Sequence, residues 1–234
     1  VPGGTSKANF IVKLNFEGTS MEQGGKTRAA QSTAVPETSW SNIRQVQILL
    51  YDASNIVRFS DVVTPTAGNT TFTYTDVPAG TYTMVAIANA KSSADAINTY
   101  LDGGTTPVEW GMWNVRQKQV QNMVMKYKTG TFPAFCSAAL AGNTAYTEPA
   151  EIFMGAVSNV VISSDATATP SPIALKREVS LMRVRLNVKD KEGNTNNENT
   201  AKGVDFTQDA SIMIYRLPDY LKVMAGNDGG VSAT

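Results

Sequence analysis

Hydrophobic and polar residues alternate with a period of two near the start of the chain. The apolar members of this first segment share one face and are Phe10, Val12, Leu14 and Phe16. The alternation predicts a strand with one buried face. Burying the four side chains would contribute roughly 6–12 kcal/mol before chain entropy is counted, at about 1.5–3 kcal/mol each. That figure is an upper bound, because unfolded chains are already partly collapsed.

Stretches with strand character recur along the whole chain. Strands are predicted over residues 43–51, 56–59, 70–75, 81–89, 151–155, 157–163, 179–189 and 210–216. The first of these is apolar on both faces, which predicts a central strand. Pro78 and Gly80 occupy positions that a tight turn prefers, so we expect a turn between the strands on either side. In 179–189 the alternation slips once, which is typical of a β-bulge.

Two segments have features of helices instead. Val120, Met123, Val124 and Tyr127 follow the spacing i, i+3, i+4, i+7. This spacing predicts an amphipathic helix over residues 114–128. A second, shorter helix is predicted over residues 92–101, capped by one of the serines at its start. Together they predict a short helical insertion in a mainly β fold.

The chain divides into three predicted parts. Residues 165–172 consist of small and polar residues with proline and no apolar pattern, and are the best linker candidate. We therefore expect an N-terminal segment with the first strand (1–28), a β-sandwich domain (29–172) and the start of a second β domain (173–234). The last part has too few predicted strands to close a sandwich alone.

Composition excludes several classes of protein. The 234 residues carry 20 Lys+Arg against 20 Asp+Glu, so no cationic surface is available to hold nucleic acid. The chain has no His, which excludes imidazole catalysis and His-ligated metal sites. Cys136 is the one cysteine, so there is no intramolecular disulfide and no cysteine-rich zinc site. We expect a non-enzymatic protein without metal or cofactor.

Nothing in the sequence predicts a membrane span. No apolar run approaches the roughly 18 residues that a transmembrane helix needs. The first residues also lack the charged and apolar regions of a secretory signal. If the protein is exported, we expect that its signal has already been removed.

One loop resembles a calcium site. Oxygen-bearing side chains recur at every second position in Asp190, Glu192, Asn194, Asn196 and Glu198. An EF-hand loop also requires glycine at its sixth position and an acid at its twelfth. Those positions hold Thr195 and Ala201, so the pattern favours a solvated hairpin loop.

Three further groups have both a chemical and a plain interpretation. Glu148 and Glu151 have the residue types of a glycosidase pair, but two acids beside a proline are typical of a surface loop. Trp110 and Trp113 are candidate ligand aromatics for a sugar, or they seal an edge of the core. Cys136 is interpreted as a small buried residue, since no His is present to activate it.

A basic group in the last third of the chain was the remaining candidate for an anionic partner. Its members are Lys176, Arg177, Arg183, Arg185, Lys189 and Lys191. Most of them alternate with apolar residues, which is typical of the solvated face of a strand. The sequence therefore gives no firm indication of an anionic ligand.

The segment after the first strand is the most informative feature. Residues 17–41 are polar, have no periodicity and contain Lys26 and Arg28. A loop of this length inside a compact domain is usually functional or disordered. Cleavage there would allow the first strand to leave, exposing an apolar groove with unpaired backbone groups that accepts another strand. The alternative is an ordinary edge strand followed by an ordinary loop.

The order of motifs resembles the fimbrillin family of Bacteroidetes surface pili, the type V pilins. Residues 8–14 followed by Lys26-Thr27-Arg28-Ala29 are similar to that family's first strand and arginine-protease processing site. Further similar segments are 43–52, 77–82 with 85–89, 151–155 and 172–179. The resemblance covers about residues 8–190, and each motif is individually weak. Its specificity comes from the order of the motifs.

The resemblance implies a fold and a mode of assembly. The fold would be a transthyretin-like Greek-key β-sandwich in a lipoprotein precursor exported to the cell surface at the outer membrane. An arginine-specific protease would cut between Arg28 and Ala29. The strand from Phe10 to Phe16 would leave, and strand insertion from other pilin subunits would replace it. No lipid-bearing cysteine opens the chain, and no convincing donor strand follows Val223.

Three functional hypotheses remain open. The first is a structural pilin that polymerises on the cell surface. The second is a fimbrial tip or anchor adhesin that binds a host glycan or protein. The third is a secreted carbohydrate-binding module that uses Trp110 and Trp113.

Overall fold

The described part of the chain is almost entirely β-structure. The computed structural model describes residues 7–16, 40–89, 97–100, 115–127, 129–131, 151–178, 188–189, 195–196 and 220–224. The strands are β1 (Lys7–Phe16), β2 (Val46–Tyr51), β3 (Val57–Val63), β4 (Thr71–Pro78), β5 (Gly80–Ala88), β6 (Ile97–Tyr100), β7 (Val124–Tyr127), β8 (Phe153–Ile162), β9 (Ile173–Arg177), β10 (Val188–Lys189), β11 (Thr195–Asn196) and β12 (Tyr220–Lys222). Two single-turn 3-10 helices are η1 (Trp40–Asn42) and η2 (Val120–Asn122). The prediction of a mainly β protein is confirmed.

Seven of the strands form one large curved sheet in the order β3-β2-β5-β8-β9-β1-β4. β8 and β9 are joined by two residue pairs only, Phe153 with Arg177 and Met154 with Lys176. At this corner the sheet turns, so that β3-β2-β5-β8 faces β9-β1-β4. The two outermost strands meet across the interior, where the rings of Phe59 and Tyr74 lie 4.8 Å apart. The sheet thus forms the two layers of a sandwich.

The main core lies between these two layers. Members from both of them include Phe10, Val12, Ile48, Leu50, Met84, Phe153 and Ile173. The apolar face predicted for the first strand is confirmed: Phe10, Val12 and Leu14 are buried, and Phe16 is half-buried. The strand therefore supplies the centre of the core.

A second apolar cluster covers the other face of β2 and β5. Its members include Leu49, Val85, Ile87, Val120, Met123, Met125, Leu221 and Val223. Part of the covering layer is a three-stranded sheet in the order β12-β7-β6. Every residue of β2 is buried, which confirms that this strand is central.

The helix prediction for residues 114–128 is wrong. The segment forms η2 and then β7, which pairs with β6 on one side and β12 on the other. Met123 and Met125 are both buried against the second cluster, so the pattern that governs packing has a period of two. β6 also stands where the shorter helix was predicted. Strand pairing across the fold overrides a helical pattern made of only four apolar residues.

β8 is one strand where two were predicted. Val157 pairs with Met84 and Val160 pairs with Tyr82, so two residues of β8 stand opposite Thr83. Asn159 has a φ of 58°, a left-handed conformation that Asn tolerates better than most residues. The bulge changes the phase of the alternation, so that Phe153 is buried before it and Val160 and Ile162 are buried after it.

β9 lies beyond the predicted linker and yet belongs to the seven-stranded sheet. It pairs in parallel with β1 and antiparallel with β8. The proposed division at residue 172 stays a prediction, as does the strand over 179–189, of which only β10 falls within the described residues. The strand over 210–216 lies outside them. No helix in the described ranges has the length and apolar character needed to cross a membrane.

Candidate functional site

The first strand occupies a slot with a neighbour on each side. β1 pairs antiparallel with β4 between Lys7 and Lys13, and in parallel with β9 from Leu14 onward. On the side of β1 opposite β4, Ala168 forms an isolated parallel bridge with Phe10. The Ile11 N–H donates to the Ala168 carbonyl, and the Ala168 N–H donates to the Asn9 carbonyl, both at 2.9 Å. β1 is therefore an interior strand, and the edge-strand alternative is wrong.

An aromatic cluster surrounds Phe10. Its ring stacks on Tyr74, with centroids 5.3 Å apart and planes at 24°. It meets Phe59 edge-on, with centroids 5.6 Å apart and planes at 88°. The Arg116 guanidinium lies 5.3 Å from the centroid of Phe59 and continues the stack. Both ring geometries are favourable, and a pair of this kind adds about 0.5–1.5 kcal/mol beyond the area that it buries.

Tyr74 acts in this cluster as an uncharged packing group. Burial raises the pKa of the Tyr74 phenol far above its usual range, and the nearby negative charge of Asp61 raises it further. The ring therefore remains neutral at any pH at which the protein is handled. Its contribution to the slot is shape and aromatic surface.

A second aromatic contact holds the other end of β1. The Phe16 ring lies 4.4 Å from that of Trp40 and 5.8 Å from that of Phe153, measured between centroids. The Arg177 guanidinium covers Phe153 at 5.4 Å and forms an ion pair with Glu151 at 3.1 Å. This end of the slot is therefore closed by rings and by a partly buried ion pair.

The opposite face of β1 is polar. Lys7, Asn9, Lys13 and Asn15 are exposed, while Ile11 is half-exposed. Lys7 lies 3.8 Å from Asp76, an exposed pair that contributes little to stability. The strand is thus held by its buried face and its backbone, and its outward side chains are not needed for that.

This arrangement is suited to strand binding. Without β1, the apolar face of the slot would be open to water, and the backbone groups of β4 and β9 that now bond to β1 would be unpaired. Such a groove binds an extended peptide through main-chain bonds, while its pockets select alternate side chains. The geometry offers no comparable arrangement for catalysis among the described residues.

Several candidates from the sequence lie outside the described residues. They are Arg28, Ala29, Trp110, Trp113, Cys136, Glu148 and the oxygen-rich loop at 190–194 and 197–201. Glu151 is described, and its ion pair with Arg177 gives it a structural role. In the basic group, Lys176 is exposed as expected for a solvated face. Within the described ranges, no group of three acidic, Cys or His side chains could hold a metal ion.

The sequence did not identify the residues that line the slot. The sequence predicts strands that contain Tyr74 and Phe59, but no feature of it links either ring to Phe10. Ala168 was assigned to a linker. A small residue in a segment without periodicity carries no signal of strand pairing.

Comparison with known proteins identifies the class. The chain is a β-sandwich protein of the fimbrillin type. Residues 3–234 match the family model described as fimbrillin-A associated anchor proteins Mfa1 and Mfa2, and the chain belongs to that family. The family resemblance proposed from the motifs is confirmed. The description of the family names anchor proteins that are associated with fimbriae.

Several solved structures are similar to part of this chain. A candidate adhesin from Bacteroides ovatus is 16% identical, with a TM-score of 0.38. The match covers 58% of this chain and 40% of the adhesin. A candidate polysaccharide-binding protein from Bacteroides thetaiotaomicron VPI-5482 is 19% identical, with a TM-score of 0.39. The match covers 59% of this chain and 41% of that protein. A fimbrilin from Porphyromonas gingivalis W83 is 14% identical, with a TM-score of 0.32. The match covers 76% of this chain and 41% of the fimbrilin.

The chain matches only part of these relatives. The matches cover 40–41% of the length of the three structures. No protein with a curated description matches the chain.

Proposed function

We propose that this chain is a fimbrial subunit that joins its neighbours by strand exchange. An arginine-specific protease cuts between Arg28 and Ala29, β1 leaves its slot, and an extended strand of another pilin subunit takes its place. The observation that carries the proposal is the position of β1, which forms an interior strand at the centre of the core and precedes the segment that contains Arg28. We also propose export as a lipoprotein to the outer membrane.

The energetics of the slot favour exchange over loss. Before cleavage, residues 17–39 join β1 covalently to the rest of the chain, so that its binding to the slot is intramolecular. After cleavage only non-covalent contacts retain the strand. An empty slot would expose apolar surface that contributes about 6–12 kcal/mol when it is covered. A partner strand with equivalent contacts therefore replaces β1 at little net cost.

A second candidate is an anchor subunit whose first strand stays in place. The description of the family names anchor proteins, and that favours this role over a stalk subunit. The pairing of β1 on both sides also supports it. The two candidates differ in one observable: whether the protein changes its assembly after cleavage at Arg28.

Limited digestion with an arginine-specific protease tests the proposal, followed by intact mass and size-exclusion chromatography. We expect one dominant early cut after Arg28, and then release of residues 1–28 or formation of larger species. Arg28→Lys is the matched control, because it keeps the charge but removes the cleavage site. Protection of Arg28, or cleavage without release and without change in size, would contradict exchange and favour the permanent anchor.

A further inference from the structure

We infer that the slot of β1 selects its incoming strand by two aromatic side chains six residues apart, separated on the same face by two aliphatic ones. The occupant is an extended strand of another fimbrial subunit, running in the direction of β1. This inference rests on the proposed function, because it specifies the partner that the slot accepts.

The position of Phe10 requires a ring. Phe59 and Tyr74 belong to the two outermost strands of the sheet, and the ring of Phe10 contacts both. Phe10 has no exposed surface, so an incoming side chain at this position cannot extend into water. A flat ring restores one stacked and one edge-on contact, whereas an aliphatic side chain of similar volume restores neither geometry.

The position of Phe16 is a second aromatic site that fixes the register. It is lined by Trp40 and Phe153. A strand rises about 3.3–3.4 Å per residue, so the two aromatic sites are roughly 20 Å apart along the strand. Slipping by one residue would turn the apolar face outward, and slipping by two would place aliphatic residues in the aromatic sites. The sites between them hold Val12 and Leu14.

The direction of the strand follows from its two neighbours. Six residue pairs join β1 antiparallel to β4, and three join it in parallel to β9. The pairing with β4 also contains an irregularity between Ala8 and Phe10 that aligns the ring with Tyr74. A strand in the reverse direction would run parallel to β4 and lose this register. The direction of β1 is therefore part of the specificity.

The spacing of aromatic residues indicates which strands the slot accepts. Among the 234 residues, Phe10 and Phe16 are the one pair of aromatic residues separated by six positions. A second copy of these residues therefore matches the slot only with its own β1. A strand from elsewhere must bring the pattern aromatic–x–aliphatic–x–aliphatic–x–aromatic.

Peptide competition on the full chain, cut after Arg28, tests the inference. Synthetic peptides with the sequence of residues 7–16 are added in excess, and displacement of the N-terminal fragment is followed by intact mass. The variants lie in the peptide, so the protein's own folding is unaffected. They are Phe10→Ala, Phe10→Leu, Phe16→Ala and the exposed control Asn9→Ala.

We expect the native peptide and Asn9→Ala to displace the fragment with affinities within about threefold of each other. Phe10→Ala should weaken binding by about 100-fold or more, since truncating a buried Phe removes both its burial and its ring contacts. Phe10→Leu and Phe16→Ala should each weaken it by roughly tenfold.

The outcomes separate this inference from the proposed function. If the native peptide never displaces the fragment, strand exchange itself fails, and the inference fails with it. If the native peptide displaces the fragment and Phe10→Leu or Phe16→Ala does so equally well, the slot exchanges strands without aromatic selection. That result would overturn the inference alone. Displacement by the native peptide with loss for those variants supports it.

Discussion

Ala168 and Phe10 form a parallel bridge that holds the first strand on the side opposite β4. The two backbone hydrogen bonds flank Phe10, since they involve the Asn9 carbonyl and the Ile11 N–H. Because of this bridge, β1 has a partner on each side at Phe10, upstream of the residues that pair with β9. The buried ring of Phe10 and the backbone pairing on both sides together make β1 an integral strand of the sheet.

Truncating Phe10 should be among the most destabilising single changes. Phe10→Ala removes a fully buried ring and its contacts with Phe59 and Tyr74, and we expect a loss of about 3–5 kcal/mol in the free energy of unfolding. Asn9→Ala on the exposed face of the same strand is the control, with a change within about 0.5 kcal/mol. Denaturant unfolding monitored by fluorescence measures both. A loss for Phe10→Ala as small as that for Asn9→Ala would show that the ring of Phe10 does not contribute to the core.

Gly155 marks the corner where β8 meets β9. A Cβ at this position would lie 2.2 Å from the Ala174 carbonyl oxygen and 2.7 Å from the Ile173 side chain. Gly155→Ala would push the two strands apart, and we expect a destabilisation of about 1–3 kcal/mol or more.

Gly68→Ala is the matched control for that corner, since no atom lies within 4 Å of a Cβ placed there. We expect its free energy of unfolding to remain within about 0.5 kcal/mol of the parent. The comparison is made by thermal or denaturant unfolding. An unchanged stability for Gly155→Ala would mean that the close approach of β8 and β9 is not required.

Asn89 joins three segments at the end of β5. Its side-chain oxygen accepts from the Arg44 N–H at 2.8 Å, and its side-chain nitrogen donates to the carbonyls of Asn42 and Glu151 at 2.9 and 2.7 Å. Its φ of 62° is left-handed. Asn89→Ala loses the three bonds and strains the backbone, so we expect a cost of about 2–4 kcal/mol.

Asn89→Gly separates the two effects. Glycine keeps the backbone conformation but not the hydrogen bonds, so this variant should be more stable than Asn89→Ala by about 1 kcal/mol. Unfolding of the two variants in parallel gives the difference. If alanine were tolerated as well as glycine, backbone strain at this position would be negligible.

Asp52 should make stability depend on acid pH. Burial raises the pKa of Asp52, but hydrogen bonds from Arg58, Ile56 and Ser54 and the charge of Arg58 outweigh burial and lower the pKa overall. A carboxyl whose pKa is lower in the folded state adds stability above its unfolded value of about 3.9, and this stability is lost as the pH falls through the folded pKa.

Asp52→Asn tests this dependence. At pH 7 the variant should be less stable by about 1 kcal/mol, because it loses the charge-assisted bond from Arg58, whose Nε lies 2.6 Å from the carboxylate. Near pH 2 the difference should vanish, since the parent carboxyl is then protonated as well. A difference that is the same at both pH values would contradict the assigned role of the carboxylate.

Local alternation was enough to predict the strands but not their partners. The buried face from Phe10 to Phe16 was correct, because a period of two reports directly on one buried face. The parallel pairing of Leu14 with Ile173 left no local trace, since it joins residues far apart in the chain. The same holds for Phe59 and Tyr74, which line the slot from two other strands.

The error at residues 114–128 has a similar origin. Val120, Met123, Val124 and Tyr127 have helical spacing, but the second core buries both Met123 and Met125, which lie on either side of Val124. The four residues do not follow a period of two, and the pairing of β7 with β6 and β12 outweighs their helical pattern. No local feature of the sequence shows whether the helical period or the strand period governs packing in this segment.

A reversible cross-link between β1 and β4 tests the central claim most directly. Ile11 and Thr73 are paired residues, and the Leu14 N–H bonds to the Thr70 carbonyl, which makes Ile11–Thr73 a pair without mutual hydrogen bonds. Side chains approach closely in such pairs, at Cα distances that suit a disulfide. Ile11→Cys with Thr73→Cys, in a Cys136→Ser background, locks β1 in its slot when oxidised.

The measurement is size-exclusion chromatography with intact mass after arginine-specific cleavage, on oxidised and reduced samples of the same protein. We predict that the cleaved, oxidised protein retains residues 1–28 and stays monomeric, and that reduction leads to release of the fragment or to larger species. Each single-cysteine variant should behave as the reduced protein does. Identical assembly in the oxidised and reduced samples would contradict strand exchange and show that β1 is a permanent part of the subunit.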